Sequence, residues 1–248
     1  MKREERFRIK RIWICLLCVA LLISGCAIYV GDYYRADDAA IEAFGIPSTV
    51  EQRQVSRNRI DFVPEDAVAG IVFYPGGKVE YTAYVPLMRA LAERGILCVL
   101  LKMPFNLAVL DMNAADGVRE SYSDVEQWYI GGHSLGGSMA AYYVAENADE
   151  WQGLLLLGSY SSKTLSDLDL RVLSIYGSED RVMNREKYDS CKSNLPTSLK
   201  EIKIEGGCHA YFGVYGAQRG DGTPTISAQE QIRQTASYIA EFILEGER

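Results

Sequence analysis

The stretch Gln127-Trp128-Tyr129-Ile130-Gly131-Gly132-His133-Ser134-Leu135-Gly136-Gly137-Ser138-Met139-Ala140-Ala141-Tyr142-Tyr143 decides how the chain is read. A strand-forming run ends at Gly131, the pattern Gly132-His133-Ser134-Leu135-Gly136 follows, and a helical stretch begins behind it. G-x-S-x-G is a weak signal when it stands alone; its meaning here comes from the strand before it and the helix after it. A reversal this sharp holds its central residue in strained backbone geometry with the side chain projecting, and small flanking residues let strand and helix come close. Ser134 is therefore a candidate nucleophile, at a helix N-terminus that favours developing negative charge.

Working outward, short apolar runs alternate with helical patterns along the chain. Strands are expected at residues 59–63, 69–74, 96–101, 127–131, 153–158, 171–176 and 199–204, and helices at 81–94, 135–148, 185–194 and 227–245. Runs such as Ile71-Val72-Phe73 and Leu154-Leu155-Leu156-Leu157 lack polar alternation, as parallel strands covered on both faces do. The pattern predicts an α/β fold, a doubly wound, mostly parallel sheet flanked by helices, as a single domain over residues 59–248. In such sheets reactive groups gather beyond the carboxyl ends of the strands.

A serine hydroxyl is a poor nucleophile until a base takes its proton, and the chain has two histidines. His133 lies inside the turn, beside Ser134, where its side chain is expected to point away into local packing. His209 follows an apolar strand in the glycine-rich loop Glu205-Gly206-Gly207-Cys208-His209-Ala210, a place from which a base can approach the serine. The base needs a carboxylate to fix its tautomer. The turn Gly177-Ser178-Glu179-Asp180 offers Asp180 and Glu179, while Asp167 and Asp169 read as loop acids.

With these residues in place the sequence resembles the α/β-hydrolase superfamily from about Arg59 to the C-terminus, and is most similar to small, lidless members of the dienelactone-hydrolase-like kind. The resemblance implies the α/β-hydrolase fold and the chain order Ser134, Asp180, His209 for nucleophile, acid and base, which favours Asp180 over Glu179. It implies an oxyanion hole made by the Leu135 amide and one amide from Tyr74-Pro75-Gly76-Gly77-Lys78, either Gly77 or Lys78. Departures are visible: lipases carry a His-Gly pair where this chain has Pro75-Gly76, and dienelactone hydrolases use a Cys where Ser134 stands. Only about a dozen residues separate Gly158 from Arg171, where many relatives insert a helical lid, so an open site is expected.

The implied chemistry is acyl transfer to water, cleaving a small-molecule carboxylic ester or related acyl bond, with no metal or organic cofactor required. Tyr211 and Phe212, with the polar loop Arg219-Gly220-Asp221-Gly222-Thr223, are candidates for the substrate wall, and Met103-Pro104-Phe105-Asn106 is a further stretch at a strand end. An acyltransferase or peptidase on the same machinery, and a binding module without turnover, remain alternatives.

The remaining signals concern location. The 248 residues are 48% hydrophobic and 24% charged, an ordinary globular composition, but the formal charge of −7 is uneven. Residues 1–11 carry six Lys/Arg and two Glu, leaving −11 on the rest, a balance that argues against a nucleic-acid partner. Behind this basic cytoplasmic segment, residues 12–30 are nineteen in a row without a charge. At 1.5 Å per residue they cover about 28 Å, close to the hydrocarbon thickness of a bilayer. The positive cluster is expected to stay in the cytoplasm and send the rest outward, so the domain is expected at the cell membrane, on its extracytoplasmic side. Either an uncleaved signal anchor holds it, or a lipid on Cys26, since Ile23-Ser24-Gly25-Cys26 resembles a lipoprotein cleavage site. Residues 31–58 read as a linker with a short amphipathic helix (Ala39, Ala40, Ile41, Phe44) stopped by Gly45 and Pro47. Cys15 and Cys18 read as membrane-embedded apolar residues and Cys98 as core, while Cys191 and Cys208 are a candidate bridge.

Overall fold

The structure, a computed structural model, describes residues 2–45 and 49–245; Met1 and the expected helix stop at Pro47 lie outside the described residues. It divides into two compact units, Met1–Tyr33 and Tyr34–Arg248. The first is a single helix, α1 (Lys2–Gly31), whose portion Lys10–Gly31 is 22 residues with a mean hydropathy of 2.5, long and apolar enough to cross a membrane. Its large apolar side chains, Trp13, Leu17, Leu22 and Ile28 among them, are exposed.

The second unit is an eight-stranded sheet. Its strands are β1 (Glu51–Ser56), β2 (Arg59–Val63), β3 (Ala69–Tyr74), β4 (Ile96–Leu101), β5 (Trp128–His133), β6 (Gly153–Leu157), β7 (Arg171–Gly177) and β8 (Lys200–Ile204). They lie in the order β1-β2-β4-β3-β5-β6-β7-β8. Antiparallel pairing is confined to β1–β2 and β2–β4; β3 to β8 run parallel. The helices of this unit are α2 (Asp38–Gly45), α3 (Val85–Ala92), α4 (Leu135–Asn147), α5 (Arg185–Cys191) and α6 (Ala228–Glu245). Between β6 and β7, residues 158–170 contain no helix, as the short spacing predicts.

Apolar residues on both faces of the strands explain the layering. Ile71 and Phe73 of β3 join Leu87 and Leu91 of α3 and Ile239 and Ile243 of α6 in one core, while Val72 and Tyr74 join Ala140 and Val144 of α4 in the other. Each fully buried Leu or Ile stabilises the fold by roughly 1.5–3 kcal/mol relative to exposure, so a sheet covered on both sides is strongly favoured over one with a wet face. β1 was not expected. Its sequence Glu51-Gln52-Arg53-Gln54-Val55-Ser56 is almost wholly polar and mostly exposed, because it is an edge strand paired only with β2, and it lies inside the stretch expected to be linker.

The topology places the site. β3 has β4 on one side and β5 on the other, so the connections leaving β3 and β5 diverge and open a crevice between them. The register sets Tyr74 beside Gly132 and His133 beside Leu157, aligning the ends of β3, β5 and β6. The turn after β5 is so tight that a Cβ at Gly136 would collide with the carbonyl oxygens of Tyr74 and Pro75. Those obstacles are backbone, which cannot swing aside. Gly136→Ala is therefore expected to lower stability by about 1–3 kcal/mol or more. Urea denaturation of the purified protein reads this as a lower midpoint; an unchanged midpoint would show that the elbow is less tightly packed than described.

Candidate active site

Ser134 follows β5 and caps α4 with φ 52° and ψ −122°, a left-handed conformation that a non-glycine residue adopts only when its surroundings impose it. Its amide donates to the Leu157 carbonyl (2.9 Å), and its carbonyl accepts from the Ser159 hydroxyl (2.7 Å) and the Ser138 amide (3.2 Å). The strained turn is thus clamped from β6 and from its own helix.

Asp180 follows β7 and His209 follows β8. Both side chains are about 1% exposed, and His209 Nδ1 lies 2.8 Å from Asp180 Oδ2. An ionised carboxylate only accepts, so Nδ1 carries the proton and Nε2 presents its lone pair. The other carboxylate oxygen, Oδ1, accepts the amides of Val182 (3.0 Å) and Met183 (2.9 Å), which fixes the orientation of Asp180. Glu179, the alternative acid, takes the Ser178 hydroxyl (3.1 Å) instead.

Nε2 of His209 is buried and has no hydrogen-bond partner among the described residues. The imidazole and the serine turn each touch the link between Leu157 and Gly158. Leu157 holds the Ser134 amide, and a Cβ on Gly158 would stand 2.9 Å from His209 Nδ1 and 3.1 Å from Asp180 Oδ2. Gly158, at φ 52°, is glycine because the histidine ring occupies the space a side chain would need.

The expected amide donors separate clearly. Leu135 opens α4, where the first amides have no acceptor within the helix. In the loop after β3, the Gly76 amide donates to the Tyr84 hydroxyl (3.0 Å) and the Lys78 amide donates to the Asn106 carbonyl (2.7 Å). The Lys78 amide is thereby already engaged. Gly77 lies between them, packed against the Leu135 side chain, with its own amide uncommitted.

His133 does turn away from the serine, but into a role the sequence did not suggest. It is fully buried, its ring 4.4 Å from that of His209 and 5.5 Å from Phe212. The Tyr84 hydroxyl accepts from Gly76 and so directs its proton to His133 Nδ1 (2.8 Å), leaving the His133 proton on Nε2. Burial, and secondly the neighbouring His209, hold His133 well below the ordinary histidine value, with only the His209 backbone opposing. Phe212 is also fully buried, against the His133 ring, and so is not exposed to line a wall; Tyr211 is half-buried.

Other supports were invisible in the sequence. Buried Gln231 of α6 accepts the Cys208 amide (2.9 Å) and donates to its carbonyl (2.8 Å), a two-point clamp on the residue before His209. Asp221, read only as part of a polar loop, accepts the Ala210 amide (2.8 Å) on the other side of the histidine. The Gly-Asp-Gly turn around it was the one available signal. Cys191 and Cys208 are both free thiols, so the candidate bridge is not formed. Burial, then Asp221, pushes the Cys208 thiol up to about 12, so it stays neutral and does not compete as a nucleophile. Among the described residues no cluster of His, Cys, Asp and Glu has the make-up of a metal site.

Residues 70–233 match the sequence model of the alpha/beta hydrolase family. Among curated proteins no sequence matches the chain. Solved structures of similar fold include a predicted CIB-like hydrolase from Thermoplasma acidophilum, with TM-score 0.56 and 14% identity over 77% of this chain and 98% of that one. TT1662 from Thermus thermophilus aligns with TM-score 0.57 and 14% identity over 80% of this chain and 99% of that one. Est1E from Butyrivibrio proteoclasticus aligns with TM-score 0.56 and 15% identity over 80% of this chain and 98% of its own. At such identities these likenesses concern the fold.

The buried neutral His133 has a thermodynamic consequence. Its folded value lies below the unfolded 6.5, so the unfolded chain binds the extra proton and stability falls as pH falls below 6.5. Between pH 6.5 and 5, ahead of most carboxylate titration, the loss should approach about 1.4 kcal/mol per pH unit. Urea midpoints across this range should show the slope in the parent protein and a flatter one in His133→Gln; equal slopes would contradict the assignment.

Proposed function

The chain belongs to the alpha/beta hydrolase family, and from that premise we propose that it is a membrane-tethered serine hydrolase that cleaves carboxylic esters through a Ser134-Asp180-His209 triad. The observation that carries this reading is the Asp180–His209 pair, whose carboxylate sets the tautomer and leaves the buried Nε2 without a partner among the described residues, in a fold that also holds Ser134 in a strained turn. His209 Nε2 takes the Ser134 proton as Oγ attacks the acyl carbon, and Asp180 stabilises the imidazolium that forms. The tetrahedral oxyanion is received by the amides of Leu135 and Gly77, reinforced by the N-terminus of α4. The imidazolium then protonates the departing alcohol. Water, deprotonated by the same nitrogen, releases the acid from the acyl-enzyme. Every step uses groups of this chain and needs no cofactor.

The apolar helix supports the tether, and the basic residues before it support a cytoplasmic N-terminus with the hydrolase domain on the opposite side. The helix-free connection between β6 and β7 supports a site without a lid at that position. Half-buried Tyr211, next but one to His209, is the remaining candidate for contact with the leaving group.

A fluorophosphonate probe tests the nucleophile. Ser134→Ala should abolish labelling while Ser138→Ala, one turn along α4, retains it; labelling that survives Ser134→Ala overturns the assignment. Asp180→Asn, which keeps the shape but favours the wrong tautomer, should reduce kcat/KM on a short-chain chromogenic ester by about 10³–10⁴-fold. A loss below about tenfold would show that another group orients His209.

A further inference from the structure

The sheet domain begins at Tyr34, and Tyr34 is fixed to the loops that frame the catalytic residues. Its amide donates to the Lys78 carbonyl (2.8 Å), its carbonyl accepts the Glu80 amide (2.8 Å), and its hydroxyl accepts the Arg219 amide (3.1 Å). The next turn of chain adds Ala36 to Glu80 (3.2 Å) and Asp37 to the Val214 carbonyl (3.0 Å). One side of this seam is the loop carrying Gly77; the other is the segment following His209.

Covalent geometry then limits the domain. The uncharged run ends at Val30, four residues before Tyr34, a reach of at most about 14 Å. A compact body of 215 residues has a radius of gyration near 17 Å and is roughly 40 Å across. With the run set in a bilayer, Tyr34 and the loops it is bonded to therefore stay within that reach of the span's end.

The rim on the other side of the same loop is apolar and exposed. Lys78, whose carbonyl holds Tyr34, gives its amide to Asn106. Around Asn106, Phe105 is 64% exposed, Val109 49%, Leu110 55% and Met112 36%. Phe105 is held at φ 51°, which is unfavourable for a bulky side chain and returns no burial within the domain. The segment is not loose: the Tyr74 hydroxyl, at the end of β3, donates to the Met112 carbonyl (2.7 Å) and accepts the Ala115 amide (3.1 Å). A fixed group of exposed large apolar side chains marks an interaction site.

We propose that this rim dips into the lipid leaflet beside the tether, holds the catalytic mouth against the bilayer, and admits as substrate an acyl ester resident in the membrane. The proposal deepens the reading of the protein as a tethered serine esterase and rests on it. Apolar side chains at the interface gain burial among acyl chains that water denies them, and the short tether makes that contact intramolecular.

The test uses the full chain reconstituted in phosphatidylcholine vesicles, assayed on a water-soluble short-chain chromogenic ester and on a long-chain ester embedded in the bilayer. Val109→Asp/Leu110→Asp should lower the rate on the embedded ester at least tenfold and leave the soluble ester within about twofold. Loss of both activities through misfolding would be resolved by Leu110→Asn, read by the same ratio. Equal effects on the two esters overturn the proposal. So does an unchanged ratio accompanied by loss of crosslinking between copies, which would make the rim a protein interface. A parent protein that labels with fluorophosphonate and turns over only the soluble ester refutes the membrane substrate alone; one that neither labels nor turns over either ester refutes the esterase reading beneath it.

Discussion

The hydrogen bond from His209 Nδ1 to Asp180 Oδ2, 2.8 Å long and nearly excluded from solvent, determines which imidazole nitrogen presents a lone pair. Much of the C-terminal third of the domain maintains it. Asp180 is oriented by two amides of its own turn, and Gln231 and Asp221 grip the backbone on either side of His209. The ring rests on His133, which packs in turn against Phe212 and Tyr84. Because an imidazole rotates freely about its side-chain bonds, a base without this framework would spend most of its time misaligned; fixed partners remove that freedom before a substrate arrives.

Ser134, the proposed nucleophile, is held by close packing as well as by the hydrogen bonds to its own amide and carbonyl. Gly132 and Gly136 let β5 and α4 approach the end of β3 so closely that no side chain fits, and Ser134 takes up the strain of the reversal. The same closeness packs Gly77, from the connection after β3, against the Leu135 side chain at the start of α4. Tyr84 links the two systems, since its hydroxyl holds both the Gly76 amide and His133. A substitution at Tyr84 therefore acts on the loop and on the layer beneath the base together.

What the sequence revealed depended on how local the cause was. Seven strands and the serine turn were legible because continuous apolar runs and a Gly-flanked serine are local patterns. β1 was not, because an exposed edge strand of Glu, Gln and Arg carries neither an apolar run nor alternation. The choice between Gly77 and Lys78 turned on Asn106, nearly thirty residues away, whose carbonyl consumes the Lys78 amide. Phe212 was read as a wall because aromatic content says nothing about which way a ring faces; the fold buries it against His133. Gln231 and Asp221 act by gripping backbone at a distance in sequence, and such bonds leave no compositional trace.

The proposed proton relay is tested most directly by catching its covalent product. The full chain, mixed with an activated carboxylic ester whose acyl group is slow to hydrolyse and quenched within the first turnover, is digested and weighed by mass spectrometry. The account expects the mass of one acyl group on the peptide containing Ser134, and none after Ser134→Ala. Turnover without any adduct, or an adduct on a different residue, would contradict it.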